Sequence, residues 1–351
     1  MEKLFLNLKN KFQKHKKIIK KSLNIVLLII PFGILIYFCL ENDNWHEVIG
    51  SIPKLNITWI ALAIFAMMLS WYFDSLTIFE IIKFIENIYV KKSKIYKITI
   101  IGQYFTSITP MGLGSPPVQT SELMKINVGK NNASSIIGAK FIIYQISLAI
   151  YSLLCAAIYF IFFGFKSHII LIYLAIGLAF QIFMVFFVLI FLINRNFFIK
   201  IENISKRVPL VLKYKRYLKK IKSSINFFAD ALKNILKDRV LIAKLLFYSF
   251  IQISLIFSVP FFIFKAFHHG DSPALEIIET QCVANTACSF TPLPGNAGTS
   301  EKIFLDLFAN FFLENEIVIA MIIHRIITFY FNIIIGAIVY FLSKKERDVR
   351  K

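Results

Sequence analysis

The chain has 351 residues, 57% of them hydrophobic and only 17% charged, with a formal net charge of +20. A soluble domain carries about 45–50% apolar and roughly 25% charged residues, so this composition excludes an ordinary soluble enzyme and points to lipid. The cations stand in blocks beside apolar runs, as at an anionic cytoplasmic leaflet, which argues against a nucleic-acid partner.

Residues 1–22 are rich in lysine, with Glu2 as their one acid, and form a basic cytoplasmic segment. An apolar run at 23–40 follows without a small-residue cleavage site, so it reads as a retained span rather than a signal peptide. The loop after it holds Glu41, Asp43 and Glu47 and belongs outside. A second span at 57–79 returns the chain to Lys83, Lys91, Lys92, Lys94 and Lys97. Next comes Ile98–Thr109, about 18 Å of helix and too short to cross a core of roughly 30 Å. It ends at Pro110 and reads as one arm of a re-entrant hairpin over 98–126.

Spans at 133–163 and 168–193 then lead out and back. Together with 23–97 they complete a first membrane half, 23–194. Residues 195–244 are a basic connector in which Leu210, Tyr214, Tyr217, Ile221, Ile225, Phe228, Leu232 and Ile235 recur at helical spacing. Two readings stay open for it: an amphipathic helix on the anionic inner membrane face, or a linker helix packed on the bundle. The second half, 245–342, has a span at 245–264, a broken apolar segment at 274–313 and a last span at 317–342. Residues 343–351 are basic and cytoplasmic, so both termini lie inside. Cys39, Cys155, Cys282 and Cys288 lack metal-type spacing and read as free buried thiols. No cofactor is expected.

The two breaks resemble each other. One reads SITPMGLGSPPVQTSE from Ser107 to Glu122, the other SFTPLPGNAGTSE from Ser289 to Glu301. Both open Ser-x-Thr-Pro, pass through glycine and close Thr-Ser-Glu. The charge pattern makes their surroundings inverted copies, the first hairpin entering from the cytoplasm and the second from outside. The expected fold is therefore an all-α polytopic membrane protein with about six spans and two opposed re-entrant hairpins in an inverted repeat. Paired breaks of this kind mark the substrate site of many transporters. Irregular backbone survives inside a bilayer only where protein or a water-filled cavity satisfies it. Returning half-helices would start at Ser115 and at Thr299 or Ser300, aiming free N–H groups and dipole ends at an anion such as a phosphate headgroup.

ITPMGLGSPPVQTSELMK, Tyr144-Gln145, TPLPGNAGTSE, and His324-Arg325 with Tyr330 and Gly336 resemble the membrane domain of lysylphosphatidylglycerol synthases and flippases, in particular stand-alone members from low-GC Gram-positive bacteria. The resemblance implies a multi-pass protein of the bacterial cell membrane that moves phosphatidylglycerol, its lysyl ester or a polyprenyl phosphate between leaflets. Full-length synthases carry a soluble aminoacyl-transfer domain after the membrane part, which has no visible home in this sequence. Phosphatidylglycerol lysyltransferase activity, alone or as an accessory subunit, is the enzymatic alternative, and a non-transporting docking partner of a lipid-modifying enzyme is the third. A homo-oligomer stays open.

The expected headgroup site takes Thr109, Pro110, Gly112, Gly114 and Ser115 from the first break, and Thr291, Pro292, Gly295, Asn296, Gly298, Thr299 and Ser300 from the second. Glu301 and Arg325 form its charged centre, since an arginine about 13 Å into a span is expensive and marks a pathway or a partner. A structural salt bridge is the other reading of that pair. Glu122 and Lys140 are expected to play a similar part in the first half, or else to snorkel at the interface. Tyr144 and Tyr330 complete the set. Asp74 reads as a proton relay or as a carboxylate close to the inner surface.

Overall fold

The computed structural model describes residues 55–86, 88–162, 172–179, 181–183, 231–267, 270, 273–289 and 291–349, with Gly33, Tyr37 and Phe186. The expected basic segment 1–22, the span at 23–40, much of that at 168–193 and most of the connector lie outside these residues. Every regular element among the described residues is helical.

Helix α1 (Ile57–Glu86) begins where the Asn56 side chain accepts a hydrogen bond from Thr58 N at 3.0 Å. A helix–break–helix hairpin follows, with arms α2 (Lys92–Ile108) and α3 (Ser115–Met124) around a 3₁₀ turn at Pro110–Gly112. The first arm starts six residues before the expected Ile98, because lysines do not end a helix when their heads find partners. Lys92 lies over the Phe79 ring at 5.3 Å and Lys97 pairs with Glu346 at 4.0 Å. Helix α4 is Lys130–Phe162.

Residues 231–237 are helical, and Leu232 and Ile235 are fully buried against α1 and α4. This end of the connector is therefore packed on the bundle. Helix α5 (Arg239–Phe257) is capped by Asp238, which accepts from Val240 N and Leu241 N. It yields at Ser258 to α6 (Val259–Ala266), where Pro260 occupies the first turn and cannot supply an N–H. The second hairpin has arms α7 (Ala274–Cys288) and α8 (Thr299–Phe308) around a 3₁₀ turn at Pro294–Asn296. The chain ends in α9 (Ile317–Arg325), a π turn at Ile326–Tyr330 and α10 (Phe331–Val349).

Four helical stretches among the described residues are long and apolar enough to cross a membrane: Ile57–Glu86, Lys130–Ile158, Arg239–Ala266 and Ile317–Glu346. They coincide with the expected spans that begin at 57, 133, 245 and 317, with ends displaced by a few residues.

Helix α1 orders the rest. At its start Asn56 N donates to Ala266 O at 2.8 Å, and at its end Lys244 reaches Glu80 at 2.7 Å. Helices α1 and α5–α6 therefore run antiparallel. The first hairpin is rooted at the far end of α1, where Ile78, Ile81 and Ile82 share an apolar core with Ile95, Ile98 and Leu123, and where Glu86 accepts from Gly129 N at 2.9 Å. The second hairpin packs at the near end. There Ala63, Met67 and Trp71 share a core with Ile277, Phe304 and Phe308, and Phe312 meets Phe264 and Phe267. The two hairpins thus approach from opposite ends of α1, and their 3₁₀ tips touch. Each leading arm crosses to the other unit's final helix, α2 onto α10 and α7 onto α4.

Candidate functional site

The tips depend on backbone that ordinary residues avoid. Met111, Gly112, Gly295, Asn296 and Gly298 all have positive φ, between 53° and 84°. Gly295 is required twice over, since at φ 59° a Cβ would also collide with the Phe329 ring. In the first tip the Thr109 hydroxyl donates to Phe105 O at 2.5 Å and accepts from Gly114 N at 2.9 Å, closing the turn on itself. Pro110 and Pro292 are exposed, whereas Thr291 is buried with its hydroxyl unpartnered among the described residues. Helices α3 and α8 begin at Ser115 and Thr299, beside the tips, as their sequences predict. Helix α8 leaves first-turn N–H groups without a partner within the helix, whereas in α3 Pro116 and Pro117 carry no N–H and Ser115 supplies the free one.

Arg325 and Glu301 come together, 4% and 0% exposed. Arg325 Nε donates to Glu301 Oε1 at 2.7 Å, and Nη1 donates to Gly295 O at 2.9 Å and to Ser300 Oγ at 3.4 Å. Nη2 lies 2.7 Å from the same Glu301 oxygen, completing the ion pair. The other carboxylate oxygen of Glu301 accepts from Gly298 N at 2.7 Å. One glutamate therefore caps its own half-helix and holds the arginine of the last span. The guanidinium also lies over the Phe329 ring at 5.0 Å, a cation–π contact strengthened by the burial of Arg325. Directly after Arg325 the helix widens into the π turn, which ends on buried Tyr330. Such bulges often sit at functional sites. His324 points away and stacks on Phe304 at 5.1 Å.

The first half is built differently. Lys140 and Glu122 each have an ion-pair partner nearby. Lys140 pairs with Asp74 Oδ2 at 2.6 Å and approaches Gln119 Oε1 at 3.4 Å, while Glu122 pairs with Lys125 at 2.5 Å. Asp74 is 2% exposed, so it is an interior ion pair rather than a surface carboxylate. Tyr144 lies one helical turn from Lys140, within electrostatic reach of Asp74. Gln119 and Phe329 escape sequence reasoning, although spacing offered a hint: Gln119 is three residues before Glu122 and Phe329 four after Arg325, each on the same helix face. Among the described residues no group of three His, Cys, Asp or Glu side chains could hold a metal ion.

These features define an all-helical, multi-pass membrane protein with a buried ion pair where two helical hairpins meet. Residues 23–336 match the model of the lysylphosphatidylglycerol synthase TM region, and the chain belongs to that family. No curated protein sequence matches the chain.

Proposed function

We propose that the protein carries a phosphate-bearing lipid headgroup between leaflets, phosphatidylglycerol, its lysyl ester or a polyprenyl phosphate being the candidates. The two hairpins act as re-entrant segments of an inverted repeat, and the headgroup crosses where their tips meet while its tail stays in the bilayer. The observation that carries this reading is the meeting of tips from opposite ends of α1, with Arg325 buried beside them. Two half-helix N-termini start at that point, beside the buried guanidinium of Arg325. Together they suit an anion.

The test is reconstitution into vesicles with a fluorescent phosphatidylglycerol and a leaflet-specific quencher. Faster exchange than in protein-free vesicles is expected, lost in Arg325→Gln. Exchange at the protein-free rate would refute the reading. The family's own description favours lysyl transfer as the second reading. Formation of aminoacyl-lipid from charged tRNA by this chain alone would put that reading first.

A further inference from the structure

Glu279 plays no part at the tips. It lies five residues after Ala274 on α7 and is 2% exposed, and neither carboxylate oxygen has a hydrogen-bond partner among the described residues. An ionised carboxylate held without a partner costs several kcal/mol, a cost that protonation removes.

Among the described residues the groups that face it are polar, and none is a cation. Helix α4 brings Tyr151 and Cys155 within electrostatic reach, and α7 itself brings Cys282, whose thiol donates to Ser152 at 3.5 Å. From α5, Ser254 bonds Tyr151 at 3.4 Å, while the cation Lys244 stands far off on Glu80. The one charge of α6, Lys265, donates to Gly270 O. On α8, Glu301 holds Arg325, and Asp306 is taken by Lys302 and by Tyr173 of the helical segment beside α7.

Helix α4 extends this neutral, polar seam. Lys140, Tyr144, Ser147 and Tyr151 recur at helical spacing on one face, over about 16 Å of rise. Tyr144 is within electrostatic reach of both Asp74 and Cys282, and Tyr151 of both Cys282 and Glu279. Polar side chains on this face of α4 therefore lie between the Asp74–Lys140 pair and the surroundings of Glu279.

We propose that Glu279 is a proton-binding site in the seam between the second hairpin and α4, neutral when the proton is bound and carrying an unpartnered buried charge when it is lost. The step is a bare proton transfer between the carboxyl and water, with no other bond made or broken. Its link to transport rests on the headgroup reading above; the proton site itself does not.

Infrared titration of the purified full-length protein tests the site. A protonated-carboxyl band should fade as pH rises, with a midpoint above the ordinary carboxylate range, and should be missing from Glu279→Gln. That variant mimics the protonated state, and a pH-independent melting temperature would show that it folds, against a wild-type value that falls as pH rises. A band retained in Glu279→Gln, or a midpoint at an ordinary carboxylate value, would overturn the proposal. The vesicle assay under a pH gradient separates the two readings. Wild-type exchange that follows the gradient and Glu279→Gln exchange that ignores it would support both. Exchange in Glu279→Gln that still follows the gradient would overturn the role of this residue. A titrating band in a protein that moves no lipid would support the proton site and remove the transport reading.

Discussion

Arg325 and Glu301 were legible in the sequence because a charge inside an apolar run is conspicuous and needs a partner. What spacing could not convey is that the same guanidinium would also hold the Gly295 carbonyl, a contact that depends on how the second tip folds back. Phe329 was lost among 38 phenylalanines, and Gln119 carries no charge to draw notice. Removing one partner of a buried ion pair costs about 3–5 kcal/mol, so Arg325→Ala should lower the melting temperature in detergent sharply. Arg325→Lys should recover only part of it, because an ammonium cannot reach Glu301 and Gly295 O in the geometry of a planar fork. Gly295→Ala should cost about 1–3 kcal/mol by overpacking, plus the strain of its positive φ, and the same thermal scan reads it.

At the scale of elements, glycine and proline announced both helix–break–helix hairpins, which pack at opposite ends of α1. The charge signs add an expectation about the sides of the membrane from which they enter. The arm lengths were less legible, because the lysines of α2 are compatible with helix once they have an aromatic or acidic neighbour. The π turn left no signature, since one extra residue in a helical turn is imposed by packing and not by composition. Tip contact has a direct test. In a background without the native cysteines, Met111→Cys and Asn296→Cys should be joined in native membranes by a short bifunctional thiol reagent. No cross-linked product would mean that the tips do not meet in the bilayer. Gly336 marks where α10 rests on α2, with Tyr104 Cβ only 2.5 Å from where its own Cβ would stand. Gly336→Leu should part these helices and lower stability without touching Arg325, as thermal unfolding would show.

For the whole molecule, the positive-inside pattern assigns Lys130 and Asn310, both exposed, to opposite sides of the membrane. Single cysteines at these positions should be blocked by an impermeant maleimide from the cytoplasmic and the outer side respectively, in inverted vesicles and whole cells. Labelling of both from one side would refute the inverted arrangement. The final span also serves both halves at once. Its α9 segment grips the second hairpin through Arg325, and its α10 segment lies along the first hairpin through Gly336, with the π turn between. A rod pinned near its middle and clasped by a different jaw at each end behaves as a seesaw. On the headgroup reading, tilting it to loosen one jaw would press it into the other, so the two would not gape together and no continuous leak would open through the membrane.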